Sequence, residues 1–232
     1  MFPEPARLGV KICGLTSESQ ARAVIALGAD ALGINFWPRS KRHLPPEQAA
    51  PWLPALHPRT TLVAVLVNAG PELVAQILGE NLARILQLHG DETPSQVAAL
   101  MERGIPVIKA LQVRDRACLD AIGRYPCQTL LLDAFNPGHY GGGGATFPWE
   151  LAVIARDMFP EKRLILSGGL TPQNVRQAVV ETRPAAVDVA SGVESSPGVK
   201  DLARVAEFIA QARAGAASPG SPASPPLPSS LR

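Results

Sequence analysis

Cysteine is scarce in this chain, occurring only at positions 13, 118 and 127. An odd, widely spaced set cannot form a disulfide framework, so the expected setting is reducing and cytoplasmic. No run approaches the roughly 20 apolar residues that span a bilayer. The opening MFPEPARLGV also lacks the charged-then-apolar layout of a signal peptide. Charge is sparse: 18% of the 232 residues are Asp, Glu, Lys or Arg, and the net charge is +2. Basic residues gather only in PRSKRH at 38–43, too little for a nucleic-acid footprint. Neither nucleic acid nor membrane is therefore expected as a partner. No GxGxxG follows the first apolar segment, which argues against a dinucleotide-binding sheet.

What is present is apolar and periodic. Hydrophobic residues make up 46% of the chain, enough for one sizeable core. From Ala214 to Arg232 the text turns to Ala, Pro, Ser and Gly, too poor in bulky apolar side chains to offset its ordering entropy. Residues 1–213 are thus expected to form one domain and 214–232 a disordered tail.

Within that domain a short apolar run, a turn and a helix-period stretch recur eight times. The expected strands are GVKIC (9–13), ALGINF (31–36), TLVAVLV (61–67), RILQL (84–88), PVIKAL (106–111), TLLLD (129–133), RLILS (163–167) and AVDVA (186–190). After the first, Ala21, Val24, Ile25 and Gly28 fall at i, i+3, i+4 and i+7, the spacing of an amphipathic helix. Ser17 with Gln20 predicts a capping box, and Thr93-Pro94 and Thr171-Pro172 each predict a cap followed by proline at the first helical position. Alternating strands and helices give an α/β fold with a parallel sheet. Eight units within about 206 residues predict a single (β/α)8 barrel, with an open doubly wound sheet as the alternative.

In such barrels chemistry sits at the rim formed by the C-terminal strand ends. Cys13, Asn68, His89, Asp91, Asp133 and the segment 36–42 all fall there. The same holds for Gly168 and Gly169 after strand 7, and for Ser191 and Gly192 after strand 8. Loops after strands 7 and 8, with the start of an extra short helix, form a recurrent phosphate site in this fold, because backbone amides there point at an anion. Gly168, Gly169, Ser191 and Gly192 are the candidate phosphate contacts; tight turns would explain one such loop, but two in the adjacent positions favour phosphate.

Strands 1 and 6 lie three steps apart around the ring, so Cys13 and Asp133 face each other across its mouth. A carboxyl group with a raised pKa could act as acid, and a thiol with a lowered pKa as base. Lys11 could assist the thiol or be structural. Cys13 could equally be a small buried hydrophobe, as Cys118 and Cys127 are expected to be. Asp133 could simply end a strand in solvent before the four-glycine loop that follows it.

Six segments in order, VKICGLT (10–16), LGINFWPRSKR (32–42), LQLHGDE (86–92), LLLDAF (130–135), SGGLTPQNV (167–175) and VDVASGVESSPGVKD (187–201), resemble the phosphoribosylanthranilate isomerase family of tryptophan biosynthesis. The resemblance covers residues 8 to about 210. It implies an Amadori rearrangement of N-(5′-phosphoribosyl)anthranilate, with Asp133 as general acid and Cys13 as general base. It also implies that Arg42 meets the anthranilate carboxylate, that Gln87 and His89 line the pocket, and that Asp188 faces the ribose or the phosphate loops. His89 could be a ligand contact or a structural hydrogen-bond partner. No cofactor, redox change or metal is implied, in keeping with the absence of HExxH and CxxC. The implied partner is a small phosphosugar, bound by a monomer or homodimer.

The chain departs from the family text in two places. GGGGATFPW (141–149) differs at Gly143, Ala145 and Pro148 and lacks a threonine hydroxyl in the loop after strand 6. Ala190 stands where a serine is usual. Two other functions remain alternatives. The sister isomerase of histidine biosynthesis would require a second phosphate loop and usually an Asp at the first strand. A non-catalytic phosphosugar-binding barrel would bind without turnover.

Overall fold

The computed structural model describes residues 7–135 and 148–218. Eight parallel strands close into a ring in chain order: β1 (Gly9–Cys13), β2 (Ala31–Asn35), β3 (Thr61–Leu66), β4 (Ile85–Leu88), β5 (Val107–Val113), β6 (Thr129–Ala134), β7 (Arg163–Leu166) and β8 (Ala186–Val189). The ring closes where β1 pairs with β8. This is the (β/α)8 barrel expected from the eightfold alternation; the open sheet is not formed.

The strands divide their side chains by the period of two. One set, including Val10, Ile12, Leu32, Leu86 and Leu132, packs outward into the layer shared with the helices. The other set forms a separate core inside the barrel: Ala31, Val63, Ile85, Ile108, Ala110, Leu131, Ile165 and Ala186. Two residues further along the same inner face the side chains become polar. Gln87 follows Ile85, Asp133 follows Leu131, Ser167 follows Ile165 and Asp188 follows Ala186. The floor of the mouth is therefore apolar and its wall is not.

The crossovers are α1 (Glu18–Ala26), the short α2 (Pro46–Ala49), α3 (Pro71–Gly79), α4 (Pro94–Glu102), α5 (Trp149–Met158), α6 (Val175–Thr182) and α7 (Leu202–Ala217). Between β5 and β6 a 3-10 helix over Arg116–Arg124 replaces an α-helix, and Leu119 and Ile122 enter the core at its three-residue spacing. The capping box forms at Thr93 with Gln96, with Pro94 opening the helix. At Ser17 it does not form, because Gln20 is engaged elsewhere: its Oε1 accepts from the Lys200 amide at 2.6 Å. At Thr171 the helix starts three residues later than Pro172 would have it. Asn174 instead folds back, accepting from the Thr171 amide and donating to the Gly169 carbonyl.

Two further differences stand out. After β8 the chain makes a small antiparallel hairpin, β9 (Glu194–Ser196) with β10 (Val199–Lys200), where the sequence reading placed only a short connecting segment. The last helix runs through Ala217, so residues 214–217 of the expected tail are helical, and Gly215 is buried. Residues 219–232 of the tail and the glycine loop, with Gly143 and Ala145, lie outside the described residues.

A buried pair stitches the rim at β4 and β5. Lys109 donates to Glu92 at 3.0 Å and to the carbonyls of Leu88 and Gly90. Glu92 in turn accepts from the amides of Asn68 and Gly90. Replacing Lys109 by Met leaves that carboxylate buried without its cation. The expected loss is about 3–5 kcal/mol in urea unfolding, with Lys109→Met/Glu92→Gln recovering part of it; a loss below about 1 kcal/mol would show that the loop amides alone suffice.

Candidate active site

The C-terminal mouth holds a cavity of about 630 Å³. Cys13, Arg42, Gln87, His89, Asp133, Gly168, Gly169, Asp188, Ser191 and Gly192 all line it. The residues assigned to catalysis, substrate and phosphate are thus brought to one place, while the rim candidates Asn68 and Asp91, like Cys118 and Cys127, are not part of its lining.

On β1 the period of two puts Lys11 and Cys13 on the inner face. Lys11 is opposite Asp188 in the β1–β8 register and donates to it at 2.8 Å, with the lysine fully buried. Ser167 reaches the other Asp188 oxygen at 3.4 Å. Asp188 is therefore committed to Lys11 beneath the mouth. Opposite Cys13 stands Gly33, and a Cβ there would lie 2.6 Å from Cys13 Sγ and 3.0 Å from Lys11 Nζ. Glycine at this point makes the room that the thiol and the ammonium share.

Burial pushes the Cys13 thiol up, not down; Lys11 and Lys200 pull against it, while Asp188 adds to it. Burial also works against the Lys11 charge, but Asp188 and Cys13 outweigh it and hold the ammonium above its usual range. The cation beside the thiol is therefore present but largely neutralised by Asp188.

Asp133, at the end of β6, is buried rather than left in solvent. One of its oxygens accepts from the Ala134 amide at 3.0 Å. The other lies 3.2 Å from His89 Nε2, and His89 Nδ1 lies 3.1 Å from Gln87 Nε2. His89 is thus a hydrogen-bond partner of the acid, and it also lines the cavity. Gly168 closes the far side with φ of +82°, and a Cβ on it would stand 3.0 Å from Asp133 Oδ1.

The two glycine loops meet. Gly168 and Gly169 are consecutive left-handed residues, and a Cβ on Gly192 would overlap the Leu170 carbonyl. The extra short helix expected after strand 8 is a three-residue 3-10 turn, Ser191–Val193, too brief to add much dipole. Any anion held here would depend on loop amides.

Arg42 lies across Gly14, and its Nε and Nη2 donate to the two oxygens of Glu194 at 2.8 and 2.6 Å. Lys200 donates to the same carboxylate at 2.7 Å. Burial alone would raise the Glu194 pKa, but the bonds from Arg42 and Lys200 outweigh it and hold the acid below its ordinary value. Sequence reasoning missed Glu194 and Lys200 altogether. The one available signal was Pro197-Gly198, a turn dipeptide that brings the two residues together across a hairpin.

Comparison with known proteins adds the following. A family model described as N-(5′-phosphoribosyl)anthranilate (PRA) isomerase matches residues 10–211. Curated relatives of that name from Trichlorobacter lovleyi and Geobacter sulfurreducens are 47% and 48% identical over 204 residues, covering 88% of this chain and 97% and 98% of theirs. The crystal structure of phosphoribosyl anthranilate isomerase from Thermotoga maritima superposes with a TM-score of 0.79 at 40% identity, over 89% of this chain and 98% of that one. A further structure of such an isomerase, in complex with reduced 1-(o-carboxyphenylamino)-1-deoxyribulose 5-phosphate, has a TM-score of 0.77 at 38% identity, over 89% and 98%.

The raised thiol makes a direct prediction. In a Cys118→Ser/Cys127→Ser background, iodoacetamide should modify Cys13 slowly at neutral pH. The rate should climb only as the pH passes the free-thiol value of about 8.5. Fast alkylation already at neutral pH would mean that Lys11 overrides burial.

Proposed function

The chain belongs to the N-(5′-phosphoribosyl)anthranilate isomerase family, and we propose on that premise that its mouth cavity performs the family's aldose–ketose isomerisation in tryptophan biosynthesis. The observation that carries the reading is the meeting of Cys13, Asp133 and the two glycine loops in one cavity. Neither the histidine-pathway isomerase nor a binding-only barrel is favoured by these relatives.

The reaction needs a proton supplied at one side of the sugar and removed at the other. Asp133 protonates the furanose ring oxygen; the C1′–O bond breaks with its electron pair going to oxygen, leaving a cationic Schiff base between C1′ and the anthranilate nitrogen. Cys13, as thiolate, takes the proton from C2′, and the electrons of that C–H bond neutralise the Schiff base as an enolamine. The enolamine tautomerises to the ketone. Burial works against the thiolate, and Lys11 and Lys200 stabilise it when it forms.

The amides of Gly168, Gly169, Ser191 and Gly192 hold the phosphate. Arg42 orients the anthranilate carboxylate. An arginine has five N–H donors, and Glu194 takes those on Nε and Nη2, which fixes the guanidinium plane and leaves others for a ligand. Asp188 acts through Lys11 rather than on the ribose. The partner is a small phosphosugar. Either a monomer or a homodimer is compatible with the reading; the Thermotoga maritima relative is described as dimeric. Among the described residues no helix is long and apolar enough to cross a membrane; a cytoplasmic setting is inferred from cysteine usage. The catalytic domain extends through the last helix to Ala217, four residues beyond the expected boundary.

The test is a fluorescence assay with the labile substrate generated in the cuvette. Wild type should deplete the signal. Asp133→Asn and Cys13→Ser should each lower kcat by about a hundredfold to ten-thousandfold with little change in KM, and Arg42→Ala should mainly raise KM. Near-normal turnover by Cys13→Ser would sink the base assignment. Gly33→Ala should lower kcat as well, because its methyl group displaces the thiol; retained turnover would show that Cys13 has room to spare.

A further inference from the structure

Gln87 and His89 leave β4 on the same inner face, and the chain Gln87–His89–Asp133 runs from the barrel interior to the acid. A neutral imidazole has one donor and one acceptor nitrogen, so whatever meets one nitrogen decides what the other can do. Here the Gln87 amino group meets Nδ1 at 3.1 Å. An N–H donor facing Nδ1 makes that nitrogen the acceptor and places the ring proton on Nε2, which lies 3.2 Å from Asp133 Oδ2. The imidazole therefore donates to Asp133.

The orientation carries a cost. Gln87 is 1% exposed, and its Oε1 is buried with no hydrogen-bond partner among the described residues. Turning the carboxamide over would satisfy that oxygen with a proton on Nδ1, but it would orphan the amino group in its place. It would also strip Nε2 of its proton and set a lone pair against the Asp133 carboxylate. An orphaned buried carbonyl in a native site calls for a reason, and the donor it secures for Asp133 supplies one.

We propose that Gln87 is a positioning residue that acts through His89. It holds the ring in the Nε2–H form, so that a hydrogen bond awaits the carboxylate Asp133 becomes on giving its proton to the ring oxygen. That bond is strongest once the acid is ionised, so it favours the proton-transfer step over substrate binding. Gln87 lines the cavity, and the role proposed for it runs through His89. The inference rests on the isomerase reading above.

Gln87→Met tests it, because it removes both the donor and the orphaned carbonyl at nearly constant volume. A merely structural Gln87 would lose stability on this change. The proposal expects the opposite pattern: a melting temperature unchanged or higher, a KM within about twofold, and a kcat lower by about tenfold, the worth of one hydrogen bond of about 1.4 kcal/mol. The ¹⁵N shifts of the His89 ring should report the Nε2–H tautomer in wild type. They should report a mixture in Gln87→Met, and Nδ1–H or imidazolium in Gln87→Glu.

Wild-type His89 in the Nδ1–H form would overturn the proposal, and that spectrum is informative even if neither variant folds. A kcat within twofold of wild type for Gln87→Met would overturn it too. A wild type that binds but does not isomerise the substrate would instead count against the function, leaving the tautomer result standing by itself.

Discussion

The pair that the site is built around is Lys11 with Asp188. It spans β1 and β8, the first and last strands, at the seam where the ring closes. Two ions are taken out of water there, so their mutual attraction must offset a large desolvation penalty. They also sit directly beneath the thiol. Moving either partner would both strain the seam and change the charge beside Cys13. Barrel closure and the electrostatics of the thiol are thus set by one contact.

Around that pair, each functional group is held by residues from a different part of the chain. Gly33 on β2 makes the space for Cys13, and Gly168 after β7 makes the space beside Asp133. Glu194 on the hairpin after β8 holds Arg42 from the loop after β2, across 152 positions of sequence. The same hairpin takes Gln20 of α1 through Lys200. A short stretch that looked like a connector is a clamp joining the two ends of the barrel.

Much of the plan was legible in the residues. Each of the eight expected strands lies within about two residues of its place, because apolar β-branched and leucine runs between turns carry their own signal. Asp133 stood out as an acid ending the apolar strand TLLLD, and the structure shows it buried at the mouth with His89 for a partner. The Ser17 box and the Pro172 start failed for different reasons. Gln20 had a distant partner in the Lys200 amide, whereas Asn174 bonds locally, folding back onto Thr171 and Gly169. The direction of the thiol's pKa was not legible. A lysine two residues from a cysteine suggests a lowered pKa, but neither the depth of burial nor the neutralising Asp188 is visible in KIC.

The sequence by itself determined the alternation of elements, the barrel and the identity of the residues at its rim, since these follow from the period of two along each strand and from turn chemistry within a few residues. Only the tertiary structure decided which groups are paired: Asp188 with Lys11, Arg42 with Glu194, His89 between Gln87 and Asp133. Those pairings join residues distant in the chain, and their consequences depend on burial. Burial is a property of the closed ring and of no single segment.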